Sequence, residues 1–599
     1  MRRFFWVVAI ALCVLSFGSF TAVAQTDLRI SISPPNDDLS EAIGASSLLA
    51  TAHREKVTDP QELIASARAD YARILAILYE AGRFGGTISI QADGKEVSEI
   101  QPLAAPKKIN QIRVLIDTGP VYRFAQARVA PLTPSTELPE SFQSGAPGST
   151  TAIRDAAAEA ITDWRQAGFG KAEIINQRIV ARHDTRTIDA DLTVSTGPKL
   201  SFGSITISGN KNVRTRRIDT IAGLEEGDEF DPEEIARAER RLRRTGSFQS
   251  VTIDEAEDIG PGDTLPLHIS VAEQIPRRFG FGAEVSNVEG LQLTGFWMHR
   301  NLLGGAERFR VEGEVSGIGG ETGGTDYHLD LRYERPATPR PDVDLFATLS
   351  FGKDDEPDYI SKSGEFELGF TRYATDELVV EFGLGYLYSR VEDAFGAETY
   401  RLAQLPLRAT LDRRDNALNP SKGVFFDVTA VPFYGIEGSD SGAQFKLDAR
   451  GYRTFREDRP LTAALRLQFG SLVGPDLLDS PPFYRFYSGG GGTVRGQDYQ
   501  SLSVDVGGGN TSGGRSFAGL SAELRAALTD AISVVGFYDY GYVGAESFPD
   551  GSGSSHSGAG VGLRYNTGIG PIRLDIARPL TGDADASNFY IYVGIGQAF

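Results

Sequence analysis

The six histidines, His53, His183, His268, His299, His328 and His556, are scattered along the chain with no metal-spaced pair. No serine sits in a nucleophile elbow of the hydrolase kind. The single cysteine, Cys13, lies in an apolar N-terminal run, which excludes disulfides and zinc-thiolate sites from the remainder. Gly489 to Gly492 form a flexible stretch, but no lysine-serine or lysine-threonine pair and no helix start follow it, so a phosphate cradle is not expected. Neither an enzyme nor a resident cofactor or metal is expected. What the stretch does lead into is Val494-Arg495-Gly496. Arginine is a planar fork that keeps its charge and matches carboxylates bidentately, so the chemistry on offer is ion pairing.

The elements that would position such a group begin with export. Arg2 and Arg3 precede a run from Phe4 to Phe17 that is apolar except for Ser16, and Ala22-Val23-Ala24 supplies a small-x-small cleavage site. Residues 1–24 therefore read as a signal peptide and Gln25 as the mature N-terminus. A formal charge of −20 argues against nucleic acid, which needs a basic patch. With 68 glycines, 10% aromatic residues and no second long apolar run, the 599 residues point to many short strands.

Repeats organise the first half. Ile116-Asp117-Thr118-Gly119-Pro120 recurs as Val194-Ser195-Thr196-Gly197-Pro198, and Ala81-Gly82-Arg83-Phe84 recurs as Ala167-Gly168-Phe169 and Thr245-Gly246-Ser247-Phe248. Three copies of one β, helices, β, β unit are predicted, each a helix pair over a three-stranded sheet with edges open to a further strand. In the third copy Asp231-Pro232-Glu233-Glu234 starts a helix, Ile235, Ala238 and Leu242 follow at helical spacing, and Gly246 ends it. Strands are expected at Val251 to Glu255 and Leu265 to Val271.

From about Arg278 the period becomes two. Tyr327 to Glu334 and Phe309 to Val315 alternate apolar with polar, and in Leu378 to Tyr388 the even positions are all apolar or aromatic. A soluble sandwich alternates too, but aromatics on one face and charges on the other, behind an export signal, suit a membrane barrel with a polar lumen. At the C-terminus Phe589, Ile591, Val593 and Ile595 alternate up to Phe599, with Gly594 and Gly596 opposite, an ending that resembles the β-signal of bacterial outer-membrane barrels.

Val494-Arg495-Gly496, Ser521-Ala522-Glu523-Leu524-Arg525 and Phe537-Tyr538-Asp539-Tyr540-Gly541, in that order, together resemble the superfamily of assembly and translocation proteins that join periplasmic POTRA domains to a 16-stranded outer-membrane barrel. The resemblance covers nearly the whole mature chain and supplies the strand count; about 20 residues are left for each strand and loop. It implies POTRA modules at 25–119, 120–197 and 198–276 and a barrel at 277–599. It also implies that the arginine loop folds into the lumen, where Arg495 pairs with Glu523 and Asp539 while Gly489 to Gly492 let it turn. The other reading leaves Arg495 in a solvated external loop. Gln497 departs from the family, which has an aromatic residue directly after the arginine-glycine pair; Tyr499 comes two positions later. Asp412-Arg413-Arg414-Asp415, Trp297 with Arg300-Asn301-Leu302, and Gly570-Pro571-Ile572-Arg573-Leu574-Asp575 resemble strand and turn signatures rather than sites.

Module number separates branches of the superfamily. Two modules resemble the two-partner secretion transporters, five the BamA branch, and three the TamA branch. The last implies a factor that inserts or exports autotransporters and other barrel clients, with a TamB-like inner-membrane-anchored partner, unfolded outer-membrane proteins and outer-membrane lipids as its contacts. A seam between the first strand, Phe279 to Ser286, and the last, Asn588 to Phe599, would expose edges for β-augmentation. Gly280, Gly282, Gly594 and Gly596 either weaken that seam or simply suit a crowded interior. Phospholipid delivery fits the same architecture, while a passive porin gives the modules no role.

Overall fold

The computed structural model describes residues 26–597 apart from 102–105, 288, 321–322, 457–459, 530, 569, 583, 586 and 596. The signal-peptide reading and the expectations for Gly596 and Phe599 lie outside the described residues. The chain divides into two compact units, one holding the first two small sheets and the other the third sheet with the barrel.

In the first unit, Asp27–Ser33 runs parallel to Gln111–Asp117, which also pairs antiparallel with Thr87–Ala92. Helices Asp37–Ser46, Leu48–Arg54 and Pro60–Glu80 bury Ile43, Leu49, Ile64 and Leu78 against Ile90 and Val114, so the expected helix pair is corrected to three helices, and the short strand Lys95–Glu96 extends the expected three-stranded sheet to four. Asp70, fully buried on the long helix, accepts hydrogen bonds from Ser47 Oγ (2.6 Å) and from the backbone N–H of Leu48 (2.8 Å) and Leu49 (3.1 Å), satisfying orphan donors at the start of the second helix. The second sheet has the order Arg123–Ala130, Thr187–Ser195, Glu173–Arg182, covered by Thr150–Gln166. Here the expected helix pair is corrected to one helix. Pro131, Pro134, Pro139 and Pro147 remove N–H donors throughout the stretch that would have formed the first member.

The third sheet, Ser201–Ser208, Thr264–Glu273 and Phe248–Glu255, carries helices Thr215–Ala222 and Pro232–Arg244. The repeated marker glycines Gly82, Gly168 and Gly246 have φ of +72°, +92° and +67°, the left-handed position that terminates a helix. This conformational demand is why the marker recurs.

The third sheet's arginine-rich helix clamps onto turns of the barrel. Asp342 receives Arg241 Nη2 at 2.7 Å and Arg244 Nη2 at 3.0 Å, Arg240 pairs with Asp376 at 2.9 Å, and the Arg244 guanidinium lies 3.6 Å from the Tyr373 ring centroid. Burial pushes the Asp342 carboxyl up, but the hydrogen bonds and charges of Arg241 and Arg244 outweigh it and hold it below the ordinary 3.8. A depressed carboxylate contributes its stabilisation above its unfolded value and loses it as pH falls through the folded one. The clamp is thus expected to be intact at neutral pH and to weaken below about pH 4. Proteolytic susceptibility of the helix, followed against pH, checks this; Asp342→Asn should abolish the dependence.

The barrel closes antiparallel from Arg277–Ser286 round to Tyr590–Ile595. Seventeen hydrogen-bonded segments make sixteen strands, because Gly396–Gln404 and Leu407–Asp412 are one strand interrupted at Pro406, which has no N–H for the ladder. Strands Arg308–Ile318, Asp326–Arg335 and Leu378–Asp393 contain the alternating stretches read in the sequence. Their apolar side chains face outward: Leu384 is 67% exposed, and Phe382, Tyr386 and Tyr388 lie exposed on the same face. No helix among the described residues is long and apolar enough to cross a membrane.

Candidate functional site: the lumen loop and the seam

Residues 474–515 connect strands Leu461–Val473 and Ser516–Ala527. Instead of projecting into solvent, this loop packs against inward-facing side chains. Tyr484, Phe486 and Leu502 form one cluster with Leu387, Leu402, Phe433, Leu472, Phe517 and Val543. Gln444 Nε2 donates to the Tyr484 carbonyl at 2.8 Å, and Gln404 donates to the Tyr484 hydroxyl.

Farther along, Arg495 is buried and spans three carboxylates. Its Nε donates to Asp539 Oδ2 at 2.8 Å and Nη2 to Oδ1 at 3.1 Å, a bidentate pair, while Nη1 donates to Glu523 Oε1 at 2.8 Å and Asp575 Oδ2 at 3.2 Å. The guanidinium also stacks 3.6 Å from the Phe537 ring centroid. Each acid reaches the lumen through strand alternation. Ser521, Glu523 and Arg525 point inward between outward Leu520 and Leu524; Val535, Phe537 and Asp539 do so on Ile532–Gly544, and Arg573 and Asp575 on Ile572–Thr581.

Two further arginines complete the cluster. Arg525 donates to Glu523 at 2.9 Å and Arg564 to Asp575 at 2.5 Å. Three guanidinium groups thus face three carboxylates, all of them buried. Electroneutrality makes such burial tolerable, because an unpaired charge there would carry a desolvation cost of several kcal/mol.

The structure brings Val494, Arg495, Gly496, Glu523 and Asp539 together. It also corrects the reading of Gly570 to Asp575 as a strand and turn signature only, since Asp575 belongs to the cluster. The clue available in the sequence is alternation: Ile572, Leu574 and Ile576 face outward, which places Arg573 and Asp575 in the lumen. Gln497, the departure from the family pattern, is buried and its Nε2 donates to the carbonyls of Ser557 and Thr581, each at 2.7 Å. It satisfies acceptors where the register between those two strands shifts. Tyr499 instead donates to Glu356 at 3.2 Å.

Beside the loop, a cavity of about 230 Å³ is lined by Glu284, Glu289, Glu314, Asp326, Asp355 and Glu356. Burial, then the Asp326 and Asp354 charges, push the turn residue Glu356 up to about 7. Burial also raises Glu289, although Gly491 N–H donates to its carboxylate at 2.5 Å. Among the described residues no group of three or more His, Cys, Asp or Glu is arranged to hold a metal ion.

Among the described residues, the seam joins Arg277–Ser286 to Tyr590–Ile595 through two register positions, Val285 with Val593 and Ser286 with Tyr592, and continues at Asn287, whose N–H donates to the Ile591 carbonyl at 3.3 Å and whose side-chain oxygen accepts from Ile591 N–H at 2.8 Å. The first hairpin, by contrast, is paired over ten, from Arg277 with His299 to Ser286 with Gly290. Phe279 points outward and is exposed, whereas Gly280, Gly282 and Gly594 face the lumen. A Cβ on Gly280 would lie 2.2 Å from the Phe296 ring, one on Gly282 2.5 Å from Thr294 Oγ1, and one on Gly594 3.1 Å from Arg573 Nε. These glycines make room for neighbouring side chains, so their placement favours the crowded-interior reading.

A sixteen-stranded barrel with an inward-folded arginine loop and a small α+β domain before it defines a class of outer-membrane protein. Residues 301–599 match the Omp85 superfamily domain, and residues 200–274 match the POTRA family described as surface antigen variable number repeat. The chain belongs to the Omp85 superfamily. It is 23% identical over 440 residues to the outer membrane protein assembly factor BamA of Nitratidesulfovibrio vulgaris, covering 70% of this chain and 53% of that one. The same factor from Neisseria meningitidis is 23% identical over 482 residues, covering 69% and 58%. The chain therefore spans little more than half the length of these relatives. Among solved structures, Haemophilus ducreyi BamA lacking POTRA domains 1–3 aligns with a TM-score of 0.60 at 16% identity over 79% of this chain and 100% of that one. CdiB from Acinetobacter baumannii aligns at 0.52 and 13% identity over 80% and 90%.

Proposed function

We propose that this protein is an outer-membrane assembly factor whose soluble modules lie in the periplasm and whose barrel seam accepts strands of client barrels. The observation that carries this is the seam. Among the described residues it pairs at two register positions, with Asn287 N–H adding a bond to the Ile591 carbonyl, against ten positions in the first hairpin. A net backbone hydrogen bond contributes only about 0.5–1.5 kcal/mol in water, but an unmet donor or acceptor in hydrocarbon costs several, so an edge bared by opening of this seam in a bilayer favours pairing with an incoming strand. The relatives named as assembly factors support the reading, and a lumen filled by residues 474–515 disfavours a passive porin.

The test uses a cysteine pair at Val285 and Val593, which face each other across the seam. Oxidation of the pair is expected to abolish client insertion into vesicles, and reductant to restore it. Insertion unaffected by the disulfide would remove the seam from the mechanism.

The three small sheets across residues 27–273 support a three-module, TamA-type arrangement with autotransporter-like clients and a TamB-like partner. Deletion of residues 26–118 should then weaken association with that partner if the first module is its dock.

A further inference from the structure

Among the described residues the seam is held by two register positions and by Asn287, whose N–H donates to the Ile591 carbonyl, whose side-chain oxygen accepts from Ile591 N–H and whose Nδ2 donates to the Phe589 carbonyl; the lumen loop touches both of its sides. On one side, Glu289, just after the first strand, accepts from Gly491 N–H. On the other, the Tyr592 hydroxyl accepts from Gly496 N–H at 3.2 Å and the Tyr590 hydroxyl donates to Asp498 at 2.8 Å; both tyrosines are buried on the last strand. Eight residues, 491–498, thus bridge the first hairpin to the last strand from inside the lumen.

The anchorage is lopsided. Toward the last strand the loop is also held by Arg495 on Asp575 and by Gln497 on the carbonyls of Ser557 and Thr581. Toward the first hairpin, the loop's Gly491 N–H donates to Glu289. A second lumen-side tie avoids the loop: Arg573, two strands from the first across the seam, pairs with Glu284 of the first strand.

We propose that residues 491–498 are a latch on the seam, with Glu289 and Glu284 two positioning residues that hold the first hairpin beside the direct contacts of Asn287. This deepens the assembly reading and rests on it only for the purpose of opening. The latch releases on the first-hairpin side, while the loop stays with the last strand. Separation breaks the Glu289–Gly491 hydrogen bond, the Glu284–Arg573 ion pair, and the Asn287 and ladder bonds to the last strand, and leaves the Arg495 cluster intact.

The Val285→Cys, Val593→Cys pair in the full chain reads closure directly, since the sole native cysteine, Cys13, precedes the described residues. Added to that background, Glu289→Ala and Glu284→Ala, singly and together, are expected to slow disulfide formation, roughly tenfold for the double variant. Glu289→Gln keeps a carbonyl acceptor for Gly491 N–H and should restore the parental rate. Gel mobility before and after heating identifies folded barrels, and if the double variant misfolds, the single variants give the reading. Parental rates in the alanine variants would overturn the latch, as would Glu289→Gln behaving like Glu289→Ala. Client insertion is scored separately. A loosened seam with unchanged insertion leaves the latch standing and counts against the assembly reading, whereas lost insertion with parental cross-linking counts against the latch alone.

Discussion

Arg495→Ala is expected to free the lumen loop and to destabilise the barrel by about 3–5 kcal/mol. The parent cluster balances Arg495, Arg525 and Arg564 against Glu523, Asp539 and Asp575. Without Arg495 the remainder carries an excess negative charge, and Asp539 loses its bidentate partner in a buried site. Contact with the Phe537 ring is lost as well. Arg495→Lys should recover only part of the loss, because a compact ammonium cannot reproduce a planar fork that reaches three carboxylates. The heat-modifiability midpoint and protease cleavage within residues 474–515 report the two effects. An unchanged midpoint with a protected loop would show that the cluster does not hold the loop.

How much of this arrangement is legible in the sequence depends on the range of the signal. Period-two alternation exposes the barrel because each strand carries its own pattern, and helix punctuation exposes the repeats because Gly82, Gly168 and Gly246 answer a local backbone demand. The single helix of the second sheet runs against the repeat: four prolines from Pro131 to Pro147 carry the local signal, and their missing donors prevent the further helices that the other two copies have, three in all in the first and two in the third. The ion cluster is different in kind. Arg495 lies 28 residues from Glu523, 44 from Asp539 and 80 from Asp575, separations that no local spacing encodes. Family resemblance supplies two of the three acids; alternation places the third in the lumen, but not beside Arg495. Gln497 and Glu289 carry no signal of their own, since their roles depend on a register shift and on a seam that exists only once the barrel has closed.

Charge and shape can be separated within the same loop. Gly496 has φ +90°, and a Cβ there would sit 2.7 Å from the carbonyl carbon and oxygen of Arg578. Both demands fall on backbone, which cannot rotate aside as a side chain would; positive φ alone costs a non-glycine residue about 1–3 kcal/mol. Gly496→Val is therefore expected to lift the loop from the wall, with cleavage and a lowered heat-modifiability midpoint like those of Arg495→Ala, although every charged residue is retained. Gly492 supplies the control, because a Cβ there meets nothing within 4 Å. Gly492→Ala should leave both readouts at parental values. A protected loop in Gly496→Val would mean that the ion pairs hold it without this close approach. Cleavage in Gly496→Val but not in Gly492→Ala would show that Arg495 reaches its three carboxylates only when the residue beside it has no side chain.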